Sequence, residues 1–135
     1  MDLSQTLAIA ASGLSAQGKR VRVIAENIAN ADSVATTPNG KPYQRKVITF
    51  ENALDREAGT ELVKVKRIGT DNSPPVRRYD PGHPAADAKG YVLAPNVDRL
   101  VEVMDAREAQ RSYEANLQII DAARHMASRT VDLLR

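Results

Sequence analysis

Residues 96–135 read NVDRLVEVMDAREAQRSYEANLQIIDAARHMASRTVDLLR, a stretch of 40 residues that contains neither glycine nor proline. Proline and glycine are the residues that most disfavour a helix interior, so their absence predicts one long C-terminal α-helix. A helix of this length would span about 60 Å. The stretch begins with Asn96, a residue type that is favoured at the N-cap, so we expect the helix to begin there.

Apolar side chains recur along this predicted helix in alternating steps of three and four residues. That spacing is a heptad pattern, which is typical of helices that pack side by side. The pattern consists of Val103, Ala106, Gln110, Tyr113, Leu117, Ile120, Arg124, Ala127, Val131 and Leu134. A second apolar set lies beside the first and consists of Ile119, Ala123, Met126 and Leu133. Because a helix with two apolar faces can contact two partners, the tail predicts packing against neighbouring chains.

A second helix is predicted at the other end of the chain, from about Leu3 to about Asn30. Asp2 is a suitable N-cap, and Gln5 three residues later can complete a capping box. The heptad pattern here consists of Leu3, Leu7, Ala10, Leu14, Gln17, Val21, Ile24 and Ile28. Gly13 and Gly18 weaken this helix by roughly 1 kcal/mol each relative to alanine, but they also allow another backbone to approach closely.

The large apolar members of both patterns are the candidate subunit-interface residues. They are Leu3, Leu7, Leu14, Val21, Ile24 and Ile28 in the head, and Val103, Tyr113, Leu117, Ile120, Val131 and Leu134 in the tail. The same patterns also allow an ordinary helical hairpin that buries its seam inside one domain. The length of the tail and its second apolar set favour association between chains.

Between the two helices, residues 32–95 contain all seven prolines and five of the seven glycines. Strand candidates lie at residues 46–50, 61–66, 76–79 and 90–93, and turn signals occur at Asn39-Gly40, Pro74-Pro75 and Pro81-Gly82. The sequence therefore predicts an α+β fold in three parts: an N-terminal helix at 1–31, a β-rich or extended middle at 32–95, and a C-terminal helix at 96–135. The terminal helices are expected to pack together as one coiled-coil-like layer.

Composition excludes several classes of function. Lys and Arg total 19 against 17 Asp and Glu, and a net charge of +2 is too small to predict nucleic-acid binding. The chain has no cysteine, which excludes disulfides and thiolate chemistry. No run of about 18 apolar residues is present, so no membrane insertion is expected. The first residues lack the charged and apolar regions of a secretory signal, so a cleaved signal peptide is not expected.

The polar residues do not form a convincing catalytic or metal-binding set. Asp80, His83 and Asp87 have no zinc-type spacing, and the Pro81-Gly82 turn accounts for the local polarity. His125 is expected to be an exposed or interface residue. Asn27 and Asn30 are expected to cap the end of the first helix or form turns. We therefore expect no catalytic residues, no metal and no cofactor.

Three segments of the chain resemble the flagellar rod, hook and hook-filament protein family. Residues 25–31 (AENIANA) are similar to the signature at the end of that family's first helix. Residues 79–92 (YDPGHPAADAKGYV) are similar to a segment typical of its proximal rod members. Residues 95–98, 102–107 and 113–116 resemble its C-terminal signature. The motif residues are Asn27, Asn30, Tyr79, Asp80, Pro81, His83, Pro84, Asp87, Gly90, Tyr91, Pro95 and Asn96.

This resemblance implies a structural subunit of the proximal rod, the drive shaft that transmits flagellar torque. It implies passage through the flagellar type III export apparatus without a cleaved signal peptide, and assembly in the periplasm as part of the basal body. The implied partners are further copies of the chain, other proximal and distal rod proteins, the junction protein between the rod base and the export gate, and the export apparatus itself. No catalysis is implied. The stretch at 34–38 (VATTP) differs from the pattern, which leaves the contacts of that loop open.

Two other functions are compatible with the residues alone. A cytoplasmic helical adaptor could use the same heptad faces to bind partner helices. An acid/base hydrolase could use His83 with Asp80 or Asp87. Export of the chain would distinguish the rod subunit from the adaptor, and loss of an activity in a His83→Ala variant would identify the hydrolase.

Overall fold

The computed structural model of the protein describes every residue from Met1 to Arg135. The elements in chain order are α1 (Leu3–Ala29), β1 (Lys46–Asp55), β2 (Thr60–Thr70), β3 (Val76–Tyr79), β4 (Tyr91–Ala94) and α2 (Arg99–Leu133). The strands form two two-stranded sheets, β1 with β2 and β3 with β4. The predicted α+β class is confirmed, and each of the four strand candidates corresponds to an observed strand.

The chain divides into two compact units, and the long elements contribute to both. Unit 1 contains Met1–Val21, Ile48–Arg67 and Arg107–Arg135. Unit 2 contains Arg22–Val47 and Ile68–Ala106. Neither helix is long and apolar enough to pass through a bilayer.

In unit 1, the first part of α1 runs antiparallel to the second part of α2. Arg20 lies 3.5 Å from Glu108, while Gly13, earlier in α1, faces Asn116, later in α2. A Cβ atom added to Gly13 would stand 2.8 Å from the Asn116 Oδ1 atom. The Asn116 side chain can pack directly on α1 at this point because glycine has no side chain to block it.

Capping and turn contacts define the ends of the elements in unit 1. The Asp2 backbone N–H donates to Gln5 Oε1 at 3.1 Å, which confirms the predicted capping-box contact at the start of α1. The turn between β1 and β2 is held by Asp55, whose carboxylate accepts the backbone N–H groups of Glu57 and Ala58. The Val63 N–H donates to Ser12 Oγ at 3.2 Å, which connects β2 to α1.

The inward face of α2 in unit 1 differs by one residue from the predicted heptad. Ala109 and Ala123 are buried, whereas Gln110 and Arg124 of the predicted pattern are exposed, so the two alanines face inward within the chain. Ile120 and Ala127, which belong to the predicted pattern, are half-buried. Small residues let two helix backbones pack closely, and this favours the alanines at the point of contact over longer side chains.

In unit 2, the N-cap of α2 is Asp98 rather than the predicted Asn96. The Asp98 carboxylate accepts the N–H groups of Leu100 at 2.9 Å and Val101 at 3.4 Å. The prediction at Asn96 was wrong because that side chain makes long-range contacts instead. Its oxygen accepts the Arg45 N–H, and its amide donates to the carbonyls of Asp71 and Ser73.

The second sheet also belongs to unit 2. β3 and β4 are antiparallel, and Val76 pairs with Ala94 while Tyr79 pairs with Tyr91. β4 is the buried strand of this sheet, because Val92 and Ala94 are buried while all four β3 residues are exposed. The Ala35 N–H donates to the Leu93 carbonyl at 3.0 Å, which attaches the loop after α1 to this sheet.

Candidate assembly surface

Asn27, the third residue of the first family motif, is buried in unit 2. Its side chain bonds to residues from three segments of the chain, so we call it a hydrogen-bonding hub. Only 1% of its surface is exposed. Its Oδ1 atom accepts the Lys46 N–H and the Tyr43 hydroxyl, both at 2.8 Å. Its Nδ2 atom donates to the Lys46 carbonyl at 2.9 Å and to Glu102 Oε2 at 3.2 Å. One amide therefore connects α1, the segment leading into β1, and α2.

Glu102 is the fully buried partner of this hub, with 0% of its surface exposed. Its carboxylate receives an ion-pair hydrogen bond from the Arg45 guanidinium. A buried carboxylate would be costly alone, and the combination of a cation and an amide donor offsets that cost. The hydrogen bond to Glu102 is also the main reason that the pKa of Arg45 is raised above its usual value.

A ring of weaker ion pairs surrounds this core. Arg45 lies 3.5 Å from both Asp71 and Asp105. Hydrogen bonds from the Ser73 hydroxyl and N–H lower the pKa of Asp71, which keeps it charged beside Arg45. Lys46 donates to Glu26 at 2.7 Å, and this contact raises the Lys46 pKa. Burial raises the pKa of Tyr43, so its hydroxyl stays protonated and donates to the hub.

Residues 79–92, the second family motif, fold as a tight loop that closes the β3–β4 sheet. Gly90 has a φ of +84° and is buried, and an added Cβ would stand 3.0 Å from the Tyr79 ring. The Asp87 carboxylate accepts the N–H groups of Lys89 and Tyr91, both at 2.9 Å. The hydrogen bond from the Tyr91 N–H is the main reason that the pKa of Asp87 is lowered below its usual value. The motif thus contains the residues that this turn geometry requires.

Aromatic and cationic side chains lie on the exposed side of the same sheet. The rings of Tyr79 and Tyr91 meet edge to face with centroids 5.3 Å apart. The Arg77 guanidinium lies 4.5 Å from the centre of the Tyr91 ring and 3.6 Å from Asp87. These contacts hold the loop against β3.

The three polar residues considered for metal binding or catalysis do not form a site. No group of three His, Asp or Glu side chains in the chain is placed to hold a metal ion. His83 uses Nδ1 to accept the Ala85 N–H at 3.0 Å, and Asp87 is occupied by the turn. The other motif residues differ in exposure: Asp80 is half-buried, Pro81 and Pro84 are exposed, and Pro95 is buried.

The candidate interface residues of the two helices differ in exposure. In α1, Ile24 is buried, and the half-buried ones are Leu3, Leu7, Leu14, Val21 and Ile28. In α2, Ile120 is half-buried, and the exposed ones are Val103, Tyr113, Leu117 and Val131; Leu134, just after the helix, is exposed as well. In unit 1, Ile119 and Met126 add to this exposed apolar surface of α2. Exposed apolar surface of this extent on a helix indicates a site of contact with another protein.

Sequence reasoning did not identify the hub. Asn27 was expected to cap a helix or form a turn, but its position lies within α1 and its side chain is buried. Asn30 does cap, because its amide donates to the Glu26 carbonyl at 2.8 Å. Arg45 was not singled out by any sequence pattern, and Glu102 was included only as the first residue of the 102–107 segment of the C-terminal signature.

A seven-residue spacing could have pointed to Glu102. Glu102, Ala109, Asn116 and Ala123 follow one another at steps of seven along α2, which places them near one line of the helix. In unit 1, Ala109 and Ala123 are buried and Asn116 faces Gly13, so this line is the inward one. A carboxylate on an inward line predicts a buried partner for its charge.

Comparison with known proteins gives the class to which these features belong. Residues 7–35 match the family described as flagella basal body rod protein, and residues 88–133 match the one described as flagellar basal body rod FlgEFG protein C-terminal. The first match includes Asn27, and the second includes Glu102 and all of α2. The two matches define the chain as a member of the flagellar rod class.

Relatives that match nearly the whole chain identify the family within this class. The chain is 51% identical over 133 residues to the flagellar basal-body rod protein FlgC of Agrobacterium fabrum, covering 98% of the chain and 96% of that protein. It is 42% identical to FlgC of Escherichia coli O6:H1 and 37% identical to FlgC of Borreliella burgdorferi, again over nearly the whole of both chains. The chain belongs to the FlgC family of flagellar basal-body rod proteins. It is a structural rod subunit of the basal body and not an enzyme, so the hydrolase hypothesis was wrong.

Proposed function

We propose that this chain polymerises through its terminal helices into the proximal part of the rod and there transmits torque. The observation that carries the proposal is the exposed apolar surface of α2, which includes Tyr113, Leu117 and Ile119 in unit 1. A helix that packs on α1 with its small residues and turns its large apolar residues outward is built to contact further helices. In the rod, helices of neighbouring subunits cover those residues and complete a coiled-coil-like inner layer.

The proposed neighbours are further copies of this chain, other proximal and distal rod proteins, and the junction protein at the rod base. In this arrangement the helical regions 1–31 and 96–135 act together as the inner domain, and residues 32–95 form the outer part. A contact surface that differs on its two sides generates a helical assembly when the rotation does not close, which is the geometry of a rod.

We further propose that the chain reaches the periplasm through the flagellar type III export apparatus without a cleaved signal peptide. The absence of cysteine supports this route, because no disulfide has to be broken before the chain is threaded in an unfolded form. The resemblance of the family motifs supports it as well.

The test is a Leu117→Asp substitution. In the assembled rod this change buries an unpaired carboxylate in an apolar contact, at a cost of several kcal/mol. In the free subunit Leu117 is 43% exposed, so the loss of partial burial and of helix propensity should cost about 1–2 kcal/mol and leave the subunit folded. We expect loss of swimming in soft agar and loss of rods in purified basal bodies, with normal cellular levels and normal export of the subunit.

The matched control is Gln118→Asp, which adds the same charge at the adjacent, exposed and polar position. This variant should swim and assemble. Normal rods in the Leu117→Asp strain would contradict assembly through this face of α2.

A further inference from the structure

Charge is segregated along the hairpin of β1 and β2 within unit 1. The turn region, residues 54–61, contains Asp55, Glu57 and Glu61 with Arg56 as the only cation; we call it the acidic tip. The segment 64–67 of β2 contains Lys64, Lys66 and Arg67 and no acid; we call it the basic base. Glu51 on β1 is the remaining charged residue of the hairpin in this unit.

These charges are exposed and are not neutralised inside unit 1. Glu57, Glu61 and all three cations of the basic base are exposed. Within unit 1 the one ion pair joins Arg20 and Glu108, so neither the tip nor the base contributes to one. Asp55 accepts two backbone N–H groups of the turn, which positions its charge at the tip.

Each region also has a distinct surface feature. Leu54 projects from the acidic tip with 66% of its surface exposed. Thr49, Lys66 and Arg67 line a surface depression of about 430 Å³. In a contact between the two regions, Leu54 can enter the depression while the acidic side chains beside it meet the cations that line it.

A single chain cannot make this contact with itself. Glu61 and Lys66 are separated by five residues of one extended strand, which corresponds to about 17 Å. Ion pairs are screened beyond about 8 Å at physiological salt, so tip and base need to meet directly. A paired strand cannot fold back on itself, but a second copy can bring its tip to the first copy's base.

We propose that the acidic tip of each copy docks on the basic base of the next copy. Each subunit then donates a tip to one neighbour and accepts a tip from another, a head-to-tail contact that continues without closing. This inference rests on the proposed rod assembly and adds a second contact to it, between the hairpins, that orients neighbouring copies through charge.

The test is a charge exchange between the two regions. Lys66→Glu with Arg67→Glu makes the base net acidic, and Glu57→Lys with Glu61→Lys makes the tip net basic. Each double variant places like charges in contact and should lower the number of rods per cell by about ten-fold, which is the effect of a penalty near 1.4 kcal/mol. The quadruple variant carries both exchanges in one chain, so it restores opposite charges at every contact and should recover rods and swimming.

The control for net charge is Lys41→Glu with Lys89→Glu, two exposed cations outside unit 1. This variant should assemble normally. Circular dichroism of each purified subunit checks that the exposed substitutions leave the fold intact.

Two results would overturn the inference. If both double variants assemble normally, the hairpins make no such contact. If the double variants fail and the quadruple variant fails as well, the tip or base contacts a protein other than a second copy. Either result can occur while Leu117→Asp still abolishes rods, so the hairpin contact can fail without the proposed function failing.

Discussion

At the scale of single residues, the side chain of Asn27 uses its full hydrogen-bonding capacity in a buried position. An amide has two donor hydrogens and an oxygen that can accept two bonds, and Tyr43, Lys46 and Glu102 take all four. Aspartate in its place would bring a second carboxylate to Glu102, and leucine would make none of these bonds. The position therefore requires asparagine for a physical reason.

This requirement predicts the effect of Asn27→Ala. The change removes four hydrogen bonds, one to the buried Glu102 carboxylate and three to half-buried groups of Tyr43 and Lys46, so the free energy of unfolding should fall by about 3 kcal/mol or more. Urea unfolding of the purified subunit, followed by circular dichroism, measures it. Asn30→Ala is the control, because it removes two hydrogen bonds at a half-buried site, one to the Glu26 carbonyl and an exposed one from the Ser33 hydroxyl, and should cost about 1 kcal/mol. Equal losses in the two variants would mean that Asn27 is not a hub.

At the scale of elements, the packing of α1 on α2 in unit 1 depends on small residues at the contact. The Asn116 amide donates to the Ser112 carbonyl at 2.8 Å, so this side chain is held in place opposite Gly13. A Cβ atom added to Gly18, further along α1, would have the Tyr113 ring as its nearest neighbour, at 4.0 Å. The two glycines of α1 therefore stand in different environments, although in sequence they are equivalent helix-weakening residues.

Alanine substitutions at these two glycines should have opposite effects on the stability of the subunit. Alanine improves helix propensity by about 1 kcal/mol at either position. At Gly13 the new methyl group overlaps Asn116, and overpacking typically costs about 1–3 kcal/mol, so we expect a net loss of about 1 kcal/mol. At Gly18 there is room, so we expect a gain of up to about 1 kcal/mol. Thermal and urea unfolding of the subunit measure both changes.

The cause of the Gly13 effect can be checked with a second substitution. Asn116→Ala removes the side chain that meets the new methyl group, so the Gly13→Ala, Asn116→Ala chain should be more stable than the sum of the single changes predicts. Additive effects in this double-mutant cycle would show that Asn116 is not the obstacle.

At the scale of the whole molecule, the α1 segment of unit 2 and the α2 segment of unit 1 differ in how well they are buried. The α1 segment of unit 2 includes buried Val23, Ile24 and Asn27. In the α2 segment of unit 1, Ala109 and Ala123 are buried, while the large residues Leu117, Ile119 and Met126 remain exposed. All residues from 128 to 135 are exposed. Assembly is therefore expected to supply much of the burial that this segment lacks.

Hydrogen exchange can compare the free and assembled states. In the purified subunit at low concentration, we expect weak protection of backbone amides at residues 112–133 and strong protection around the Asn27 hub. In isolated basal bodies, residues 112–133 should become protected as neighbouring helices cover their apolar face. Strong protection of this segment already in the free subunit would contradict ordering on assembly.

Much of the architecture follows from local sequence. The forty residues without proline or glycine determine a long C-terminal helix, and the apolar and β-branched residues at 46–50 and 61–66 determine strands, because helix and strand formation respond to neighbouring residues. The boundaries of α1 and the bond between Gln5 and Asp2 were predictable for the same reason. The three family motifs were sufficient to indicate the rod class.

Tertiary structure decided which side of each helix faces inward and which polar groups meet. Ala109 and Ala123, not Gln110 and Arg124, became the inward positions of α2, because close packing against α1 selects small side chains that a pattern of apolar residues does not distinguish. Asp98 caps α2 because Asn96 is occupied by Arg45, Asp71 and Ser73. Asn27 meets Glu102 across 75 residues of chain, and such a contact exists only when distant segments are brought together.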